Sequence, residues 1–467
     1  MRTRFTNLRL PAKGDATVDA EILVRDGRIE TATPEGDIPL VAGTEEVVDL
    51  GSALVLPGVI DTHVHFDEPG FTHRENFETG TRAAAAGGVT CVVDMPCTTL
   101  PPVTRTANLR HKLRVVAPRT HVDFMLWGGV SDNALADPAW RRNLAGLVEE
   151  GVASIKVYML SGMDTFRDLS HEQIREVLGA TAELGIPVGV HAEDRERVRE
   201  LTRELRAAGR DGPLAYAASR PAEVETAAVA ALAEHCRATG GRVHVVHVGA
   251  GAALDVVAAA RAEGLPMSAE TCPHFLEFTE GDLAAQGALL KTAPVVKSAA
   301  DRDRLWQGLA AGDVGWVATD HAAGQWPEEK CTGSIWTDYG GVPGVELLLP
   351  YLYSEGVRRG RVTLERLTEL TAAAPARFLG VEHRKGRIAP GLDADFVVFD
   401  EEERWTVEPE RLHNLNRYTP LAGRTLTGRV RSAYLRGQRV YHRRGDGTES
   451  FAPPGTGQWL RRPARPV

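Results

Sequence analysis

Short apolar runs alternate with longer amphipathic stretches along most of the chain. Between the runs, stretches such as 171–184 and 222–239 carry apolar residues every three to four positions, which is the period of a helix. Eight strand–helix units in succession predict an α/β fold, a TIM (β/α)8 barrel. The eight apolar runs cover residues 55–65, 89–95, 120–126, 153–160, 186–192, 242–248, 265–271 and 314–320.

Both ends of the chain have a different pattern, in which apolar and polar residues alternate as they do in β-strands. Residues 20–25 and 46–50 alternate in this way, and Asp26-Gly27 is a hairpin turn signal. Strand-like patterns return over 387–399 and 428–441. We therefore expect a small β-sandwich domain built from both chain ends.

This pattern divides the chain into three parts. Residues 1–56 and 386–467 would form the two parts of the small β-domain, and residues 57–385 would form the barrel. The Gly- and Pro-rich segment after residue 443 is expected to be an irregular arm.

Composition limits which binding partners and which cellular compartment we expect for the protein. The formal net charge is −9 over 467 residues, and no basic cluster alternates with aromatic residues, which argues against nucleic acid. We find no apolar run long enough for a membrane span and no apolar core of a signal peptide near the N-terminus. The five cysteines form no C-x-x-C pair, so we expect free thiols and a cytoplasmic protein.

The first candidate for chemistry is His63-Val-His65, at the end of the first barrel strand. Side chains two positions apart lie on the same face of a strand, so both imidazoles can reach one metal ion. Two histidines at a polar strand end would give the same pattern without a metal. Residues elsewhere in the chain are needed to decide between a metal site and this alternative.

Further ligand types stand at the ends of other predicted strands. Lys156 lies on the fourth, His191 on the fifth, His247 on the sixth and Asp320 on the eighth. In a TIM barrel the C-terminal strand ends meet at one rim, where catalytic residues gather. The pattern therefore predicts a metal site.

Lys156 raises an electrostatic problem, because a buried ammonium would be repelled by nearby cations. Its pKa must fall, or the amine must be modified. A neutral amine can add CO₂ to form a carbamate, whose two oxygens could bridge two metals. The alternative is a lysine that extends its ammonium to solvent.

These residues and several longer motifs resemble the amidohydrolase superfamily, in particular its cyclic-amide branch of allantoinases, hydantoinases or dihydropyrimidinases, and dihydroorotases. The resemblance extends over nearly the whole chain. The matching stretches are Pro57-Gly-Val-Ile-Asp-Thr-His63, Glu68-Pro-Gly70, residues 78–88, Glu270-Thr-Cys-Pro-His274, Lys385-Gly-Arg-Ile-Ala-Pro-Gly391 and Asp393-Ala-Asp395.

The resemblance implies a binuclear hydrolase and a homo-oligomer, commonly a tetramer. One divalent ion would be held by His63, His65 and Asp320, the other by His191 and His247. Lys156, as N6-carboxylysine, would bridge them. Zinc suits these ligands, although manganese, cobalt or iron would also be accepted.

The resemblance also implies roles around the substrate, a small cyclic amide. Asp320 would take a proton from the attacking water and pass it to the leaving ring nitrogen. Candidate substrate contacts are Ser161, Ala293, Gly340, Gly341 and, in the loop after the first strand, His73. His274 is expected to be structural, and His321 is expected to support a ligand from behind.

Departures from the branch bear on the substrate. Dihydroorotases carry other residues at four positions, which argues against dihydroorotate. Ser161 replaces the tyrosine usual in hydantoinases and brings the chain closer to allantoinases. Allantoin, a hydantoin or dihydropyrimidine, and another lactam or imide, including a ring closure in biosynthesis, all stay open. The four departures from dihydroorotases are Asp67, Cys97, Ala293 and Gly324.

A non-catalytic scaffold is the alternative from a different class of protein. The branch includes signalling proteins that keep the fold and have lost metal ligands. Because every ligand position is filled in this chain, the sequence favours an enzyme.

Overall fold

The computed structural model describes residues 2–34, 36 and 45–463. The described strands are β1 (Arg2–Pro11), β2 (Thr17–Arg25), β3 (Arg28–Pro34), β4 (Glu45–Pro57), β5 (Val59–His65), β6 (Val89–Asp94), β7 (Asp123–Leu126), β8 (Gly128–Gly129), β9 (Ile155–Tyr158), β10 (Val188–His191), β11 (Val243–Val245), β12 (Met267–Thr271), β13 (Trp316–Val317), β14 (His321–Ala322), β15 (Phe396–Thr406), β16 (Thr425–Leu435), β17 (Gln438–Arg443) and β18 (Glu449–Phe451).

The helices lie mainly between the barrel strands. They are α1 (Phe77–Ala86), α2 (Thr106–Val116), α3 (Asp132–Leu135), α4 (Trp140–Glu150), α5 (His171–Leu184), α6 (Arg195–Ala207), α7 (Pro213–Ala218), α8 (Ala222–Thr239), α9 (Gly251–Ala262), α10 (Pro273–Glu277), α11 (Glu280–Gln286), α12 (Ala299–Ala311), α13 (Leu348–Tyr351), α14 (Leu364–Thr368) and α15 (Ala374–Leu379). Short 3₁₀ turns cover Ala117–Arg119, Gly287–Leu290, Val345–Leu347 and Pro409–Arg411, and π-helical turns cover Leu352–Val357 and Glu369–Ala373.

Two parallel sheets form the barrel. One has the strand order β14-β5-β6-β7 and the other β13-β12-β11-β10-β9-β8. Only Trp127 separates β7 from β8, and three residues separate β13 from β14, so each of these pairs is one interrupted strand. The eight predicted strands are therefore all present, and the TIM barrel is confirmed.

Local sequence explains where the barrel helices begin and end. The predicted helix 171–184 is α5, which begins at a capping box between Ser170 and Gln173 and ends at Gly185 in the left-handed region, with φ 65°. The predicted helix 222–239 is α8, and it ends in the same way at Gly240, with φ 66°. Both predictions are confirmed.

The strands from the two chain ends form one continuous sheet of order β18-β17-β16-β15-β4-β1-β2-β3. Strand β4 lies at its centre, parallel to β1 and antiparallel to β15. The Phe5 ring lies 4.9 Å from Phe396 and 5.1 Å from Tyr434, measured between centroids. Phe5 lies on β1, whereas Phe396 lies on β15 and Tyr434 on β16, which are two and three strands away in this order. In a flat sheet neighbouring strands are about 4.8 Å apart, so these rings could not be so close. The sheet therefore curls over its own apolar face.

The alternation of side chains along β4 explains how this sheet joins the barrel. Val55 lies in the core of the curled sheet, whereas Leu54 and Leu56 lie in the main core, which also contains the barrel residues. The hairpin predicted at Asp26-Gly27 joins β2 to β3, with φ values of 50° and 82°. Both residue types tolerate positive φ, so the turn is confirmed.

The strand predicted over 387–399 is partly wrong, because regular pairing begins only at Phe396. Pro390 has no N–H to donate, and Gly391 takes a φ of 85°, which interrupts an extended strand. Asp393 and Asp395 turn towards a buried charge cluster instead of continuing an apolar alternation.

That charge cluster is centred on the buried Lys385, at the N-terminal end of the barrel. Its ammonium contacts the Asp395 carboxylate and lies 2.7 Å from Asp123 and 3.6 Å from Asp393. Asp123 is the first residue of β7, so the cluster joins the barrel to the strands from the chain ends.

The segment after residue 443 is more ordered than the expected irregular arm. It contains β18, and it then packs against the barrel. The Phe124 N–H donates to the Gln458 carbonyl at 3.0 Å, the Leu460 N–H to Phe124 at 2.8 Å, and the Arg462 N–H to Gly151 at 3.0 Å. Residues 464–467 lie outside the described residues, and the division at 56 and 385 stays a prediction.

Candidate active site

The first group of predicted ligands meets where β5 ends beside the break between β13 and β14. The Nε2 atoms of His63 and His65 each lie 3.2 Å from Oδ1 of Asp320. Although burial works the other way, these imidazoles hold the pKa of the Asp320 carboxyl well below its usual range. The carboxylate is therefore ionised and faces two imidazole nitrogens.

The second group lies at the ends of β10 and β11. Nδ1 of His191 is 3.0 Å from Nε2 of His247, and the ring centroids of His63 and His247 are 5.4 Å apart. The two groups are therefore neighbours. Burial lowers the pKa of His63, His191 and His247, which favours the neutral imidazole that a metal ion requires.

Two of these residues have strained backbones. His247 has a φ of 43° and Asp320 a φ of 48°, both in the left-handed region. Such a conformation costs about 1–3 kcal/mol for a non-glycine residue, and such costs cluster at functional sites. Both residues line the same cavity.

Lys156, on β9, is fully buried beside both groups. Its Nζ has no hydrogen-bond partner among the described residues and lies 4.8 Å from the centroid of the Tyr158 ring. Burial lowers the pKa of Lys156 to about 8. The predicted alternative, in which the ammonium extends to solvent, is wrong.

Carboxylates hold the histidines from behind, and sequence reasoning assigned them no role. Glu270, on β12, lies 2.7 Å from Nδ1 of His63. Glu193 lies 2.7 Å from Nε2 of His191 and accepts two 2.9 Å bonds from Arg220. These contacts fix ring orientation. A usable signal was the spacing of His191 and Glu193, which lie two positions apart at a strand end.

A cavity of about 490 Å³ opens above these groups. Four predicted substrate contacts line it: Ser161, Ala293, Gly340 and Gly341. The Ser161 hydroxyl donates to the Phe166 carbonyl at 2.8 Å and thereby shapes its own loop.

His73, the fifth predicted contact, is not among the residues that line this cavity. Its side chain is 46% exposed and lies 3.6 Å from Glu329. Its loop runs outside the cavity, so the geometry gives no support to a contact with substrate. Tyr158, Lys291 and Tyr339, which had no predicted role, do line the cavity.

The two remaining rim histidines differ. Nδ1 of His321 accepts the Gly344 and Val345 N–H groups at 3.2 and 3.3 Å, which holds the loop after Asp320. His274 is buried, its Nε2 has no partner among the described residues, and burial lowers its pKa to about 4. It is a neutral imidazole near Asp320.

The residues of the cluster fit divalent metal ions. Nε2 of His63, Nδ1 of His247 and Nζ of Lys156 are buried nitrogen atoms without a hydrogen-bond partner in the described part of the chain. The facing nitrogens of His63 and His65 and an oxygen of Asp320 all lie within 4.8 Å of one another. Imidazole nitrogen and carboxylate oxygen are ligands that zinc and similar ions prefer.

The chain has an eight-stranded parallel barrel, and imidazoles, a lysine and a carboxylate meet at its C-terminal rim. These features together are typical of one class of barrel hydrolases. The Amidohydrolase family model matches residues 54–440. The chain belongs to this family.

Within the described ranges, no helix is both long and apolar enough to cross a membrane.

Individual relatives agree with the family. The chain is 39% identical to an allantoinase of Streptomyces avermitilis, over 91% of this chain and 92% of that one. It is 37% identical to an allantoinase of Rubrobacter xylanophilus, over 90% of each. Among solved structures, an L-hydantoinase (dihydropyrimidinase) from Arthrobacter aurescens superposes with a TM-score of 0.92 at 29% identity, covering 98% of this chain and 99% of that one.

Proposed function

We propose that the protein is a metal-dependent hydrolase that opens a cyclic amide by cleaving its ring C–N bond, with allantoin as the first candidate substrate. The observation that carries this proposal is the cluster of four histidines, Lys156 and Asp320 at one rim of the barrel, with buried nitrogen atoms that have no hydrogen-bond partner among the described residues. Every ligand type is in place, which argues against the non-catalytic scaffold.

In this proposal His63, His65 and Asp320 would hold one divalent ion, and His191 and His247 would hold the second. Lys156 would supply a further ligand as a carbamate, formed when its neutral amine adds CO₂ and releases a proton. Two ions held there would lower the pKa of a shared water and polarise the amide carbonyl. Zinc is the expected metal.

The chain's own residues supply proton transfer and orientation. Asp320 is ionised and can accept a proton from the attacking water, then deliver it to the ring nitrogen as the C–N bond breaks. Glu270 and Glu193 keep His63 and His191 in fixed orientations throughout. The product is a ring-opened acid.

The cavity wall favours a ring that carries a polar acceptor group. Lys291 lines the cavity and is 5% exposed, its ammonium donates to the Asp338 carbonyl, and no carboxylate pairs with it among the described residues. An ammonium with spare donors suits the ureido carbonyl of allantoin better than an alkyl or aryl substituent. The solved dihydropyrimidinase and hydantoinase structures keep those rings as the second candidates.

The metal content gives the first test. We expect two divalent ions per chain in metal-supplemented protein and loss of activity with a strong chelator, because a shared water needs both ions. Elemental analysis of the purified protein measures this directly. Well under one ion per chain would contradict the proposed centre.

The substrate test compares purified enzyme on allantoin, hydantoin, dihydrouracil, dihydroorotate and succinimide. We expect Lys291→Met to raise KM for allantoin by about tenfold, since a hydrogen bond from a charged group contributes about 1.5–3 kcal/mol. KM for unsubstituted hydantoin should change little.

The same contact predicts a pH effect on binding. Burial and the Arg220 guanidinium lower the pKa of Lys291 to about 8, so its positive charge is present below that pH and is lost above it. KM for allantoin should therefore rise above about pH 8 in wild type and stay flatter in Lys291→Met. Equal pH profiles of KM in wild type and Lys291→Met would show that Lys291 takes no part in substrate recognition.

A further inference from the structure

Lys330 is a buried lysine that neither the metal cluster nor the proton transfer uses. Lys330 lies in the loop that follows β14 and precedes the cavity-lining residues 336–341, and its side chain is fully buried. The ammonium donates to three backbone carbonyls, those of Gly341 at 2.7 Å, Tyr339 at 3.1 Å and Lys291 at 3.4 Å. When the amine is protonated, its three N–H groups match these three acceptors.

An ammonium in this place is expensive to bury. Burial, and then the nearby Lys291 ammonium, lower the pKa of Lys330 to about 7, and the Asp338 carboxylate opposes this shift. Desolvation of a charged group costs several kcal/mol unless polar groups compensate it. The Tyr418 ring, 5.7 Å from Nζ, adds a weaker contact. The three carbonyls therefore provide most of the compensation.

The three carbonyls belong to two separate segments that line the same cavity. Lys291 follows the 3₁₀ turn that ends at Leu290, whereas Tyr339 and Gly341 lie beyond the loop after Asp320. The Gly341 N–H also donates to the Lys291 carbonyl at 2.8 Å. The ammonium therefore sits where the two segments meet.

This junction has little room to adjust. Gly341 has a φ of 156°, and a Cβ at this position would lie 2.4 Å from the Ala322 carbonyl oxygen. Ala322 is two residues after Asp320, so a shift of the 339–341 backbone would press on the segment that follows the proposed proton carrier. The contacts that hold the 339–341 backbone therefore determine where this wall of the cavity lies relative to the metal cluster.

We propose that Lys330 is a positioning residue: its ammonium binds the carbonyls of Lys291, Tyr339 and Gly341, and thereby sets the wall of the cavity against which the cyclic amide lies. Lys330 does not touch the substrate and takes no part in proton transfer. The effect on substrate rests on the proposed function, whereas the effect on the wall does not.

The first measurement is amide hydrogen exchange, which needs no substrate. In Lys330→Met, which keeps the chain length and removes the charge, the amides of residues 339–342 should exchange at least about tenfold faster than in wild type. Lys385→Met is the matched control, because it removes a buried lysine at the opposite end of the barrel. It should leave that segment protected. Unchanged exchange at 339–342 in folded Lys330→Met would overturn the proposal, whatever the enzyme's substrate.

The second measurement is kinetic, on whichever cyclic amide the wild type opens. Lys330→Met should keep its two metal ions and raise KM by about tenfold or more, because a displaced wall weakens substrate binding. Lys385→Met should lower the melting temperature and leave KM unchanged. A metal-loaded Lys330→Met enzyme with wild-type KM would contradict the positioning role.

Should Lys330→Met fail to fold, Lys330→Ala provides a chemical rescue. Truncation leaves space for a small alkylammonium ion, so propylammonium should lower KM and restore protection of residues 339–342. Propanol, which has similar size and no charge, should not. Equal rescue by propanol would assign the effect to packing volume and overturn the role of the charge.

Discussion

Replacement of Lys156 by alanine is expected to abolish metal binding and activity together, and short carboxylic acids are expected to restore part of both. The side chain is fully buried beside the two histidine groups, and its Nζ has no partner among the described residues. A carbamate there would supply oxygen ligands to both ions. Truncation removes the bridge and leaves a space that acetate or propionate can enter.

The measurements are metal content and kcat/KM as acid is added to Lys156→Ala. Ethanol at equal concentration is the control for a non-specific solvent effect. In the wild type, metal loading should fall when bicarbonate and CO₂ are removed, because the modification consumes CO₂. If Lys156→Ala binds two metals and turns over normally without added acid, Lys156 is not the bridge.

The second large effect is expected from Asp320→Asn, which should lower kcat by about 10³-fold or more. The variant keeps the shape of the side chain but removes the negative charge that faces His63 and His65, and with it the proton acceptor. Circular dichroism should show an intact fold. The measurement is steady-state kinetics on metal-supplemented protein.

Asp338→Asn is the matched control, because Asp338 lines the same cavity and its carboxylate accepts a hydrogen bond from Thr332 at 2.8 Å. It should change kcat far less. An Asp320→Asn enzyme with a tenth of wild-type kcat would move the proton transfer to another group, and His274, a buried neutral imidazole, would be the first to test.

The barrel and the rim could be predicted because both follow from local patterns. Each apolar run is long enough to predict a strand, and the C-terminal end of that strand fixes which side of the barrel its polar residue joins. His63 and His65 share a face by strand geometry alone. The assignment of all six ligands stays a prediction until metals are seen, but their convergence is a property of the fold.

Other features depend on contacts between distant segments and had no local signal. Lys330 looks like one charged residue in a polar loop, and only the fold places it against the carbonyls of Gly341 and Lys291. His73 shows the opposite case, since its loop follows the strand of His63 and His65, but His73 is not among the residues that line the cavity, and its contact with substrate stays a prediction. The interruption before Phe396 reflects Pro390 and Gly391 together with the Lys385 cluster, in which Asp393 and Asp395 face the Lys385 ammonium.

The position of β4 between β1 and β15 also has a consequence for synthesis on the ribosome. Val55 pairs with Val398, so the first strands to emerge cannot complete their sheet until the barrel has been translated. Closing so long a connection is slow, and apolar strand faces stay uncovered meanwhile. We expect nascent chains stalled before residue 396 to be bound by chaperones and cleaved by proteases within residues 2–57, whereas chains released after residue 443 should resist both.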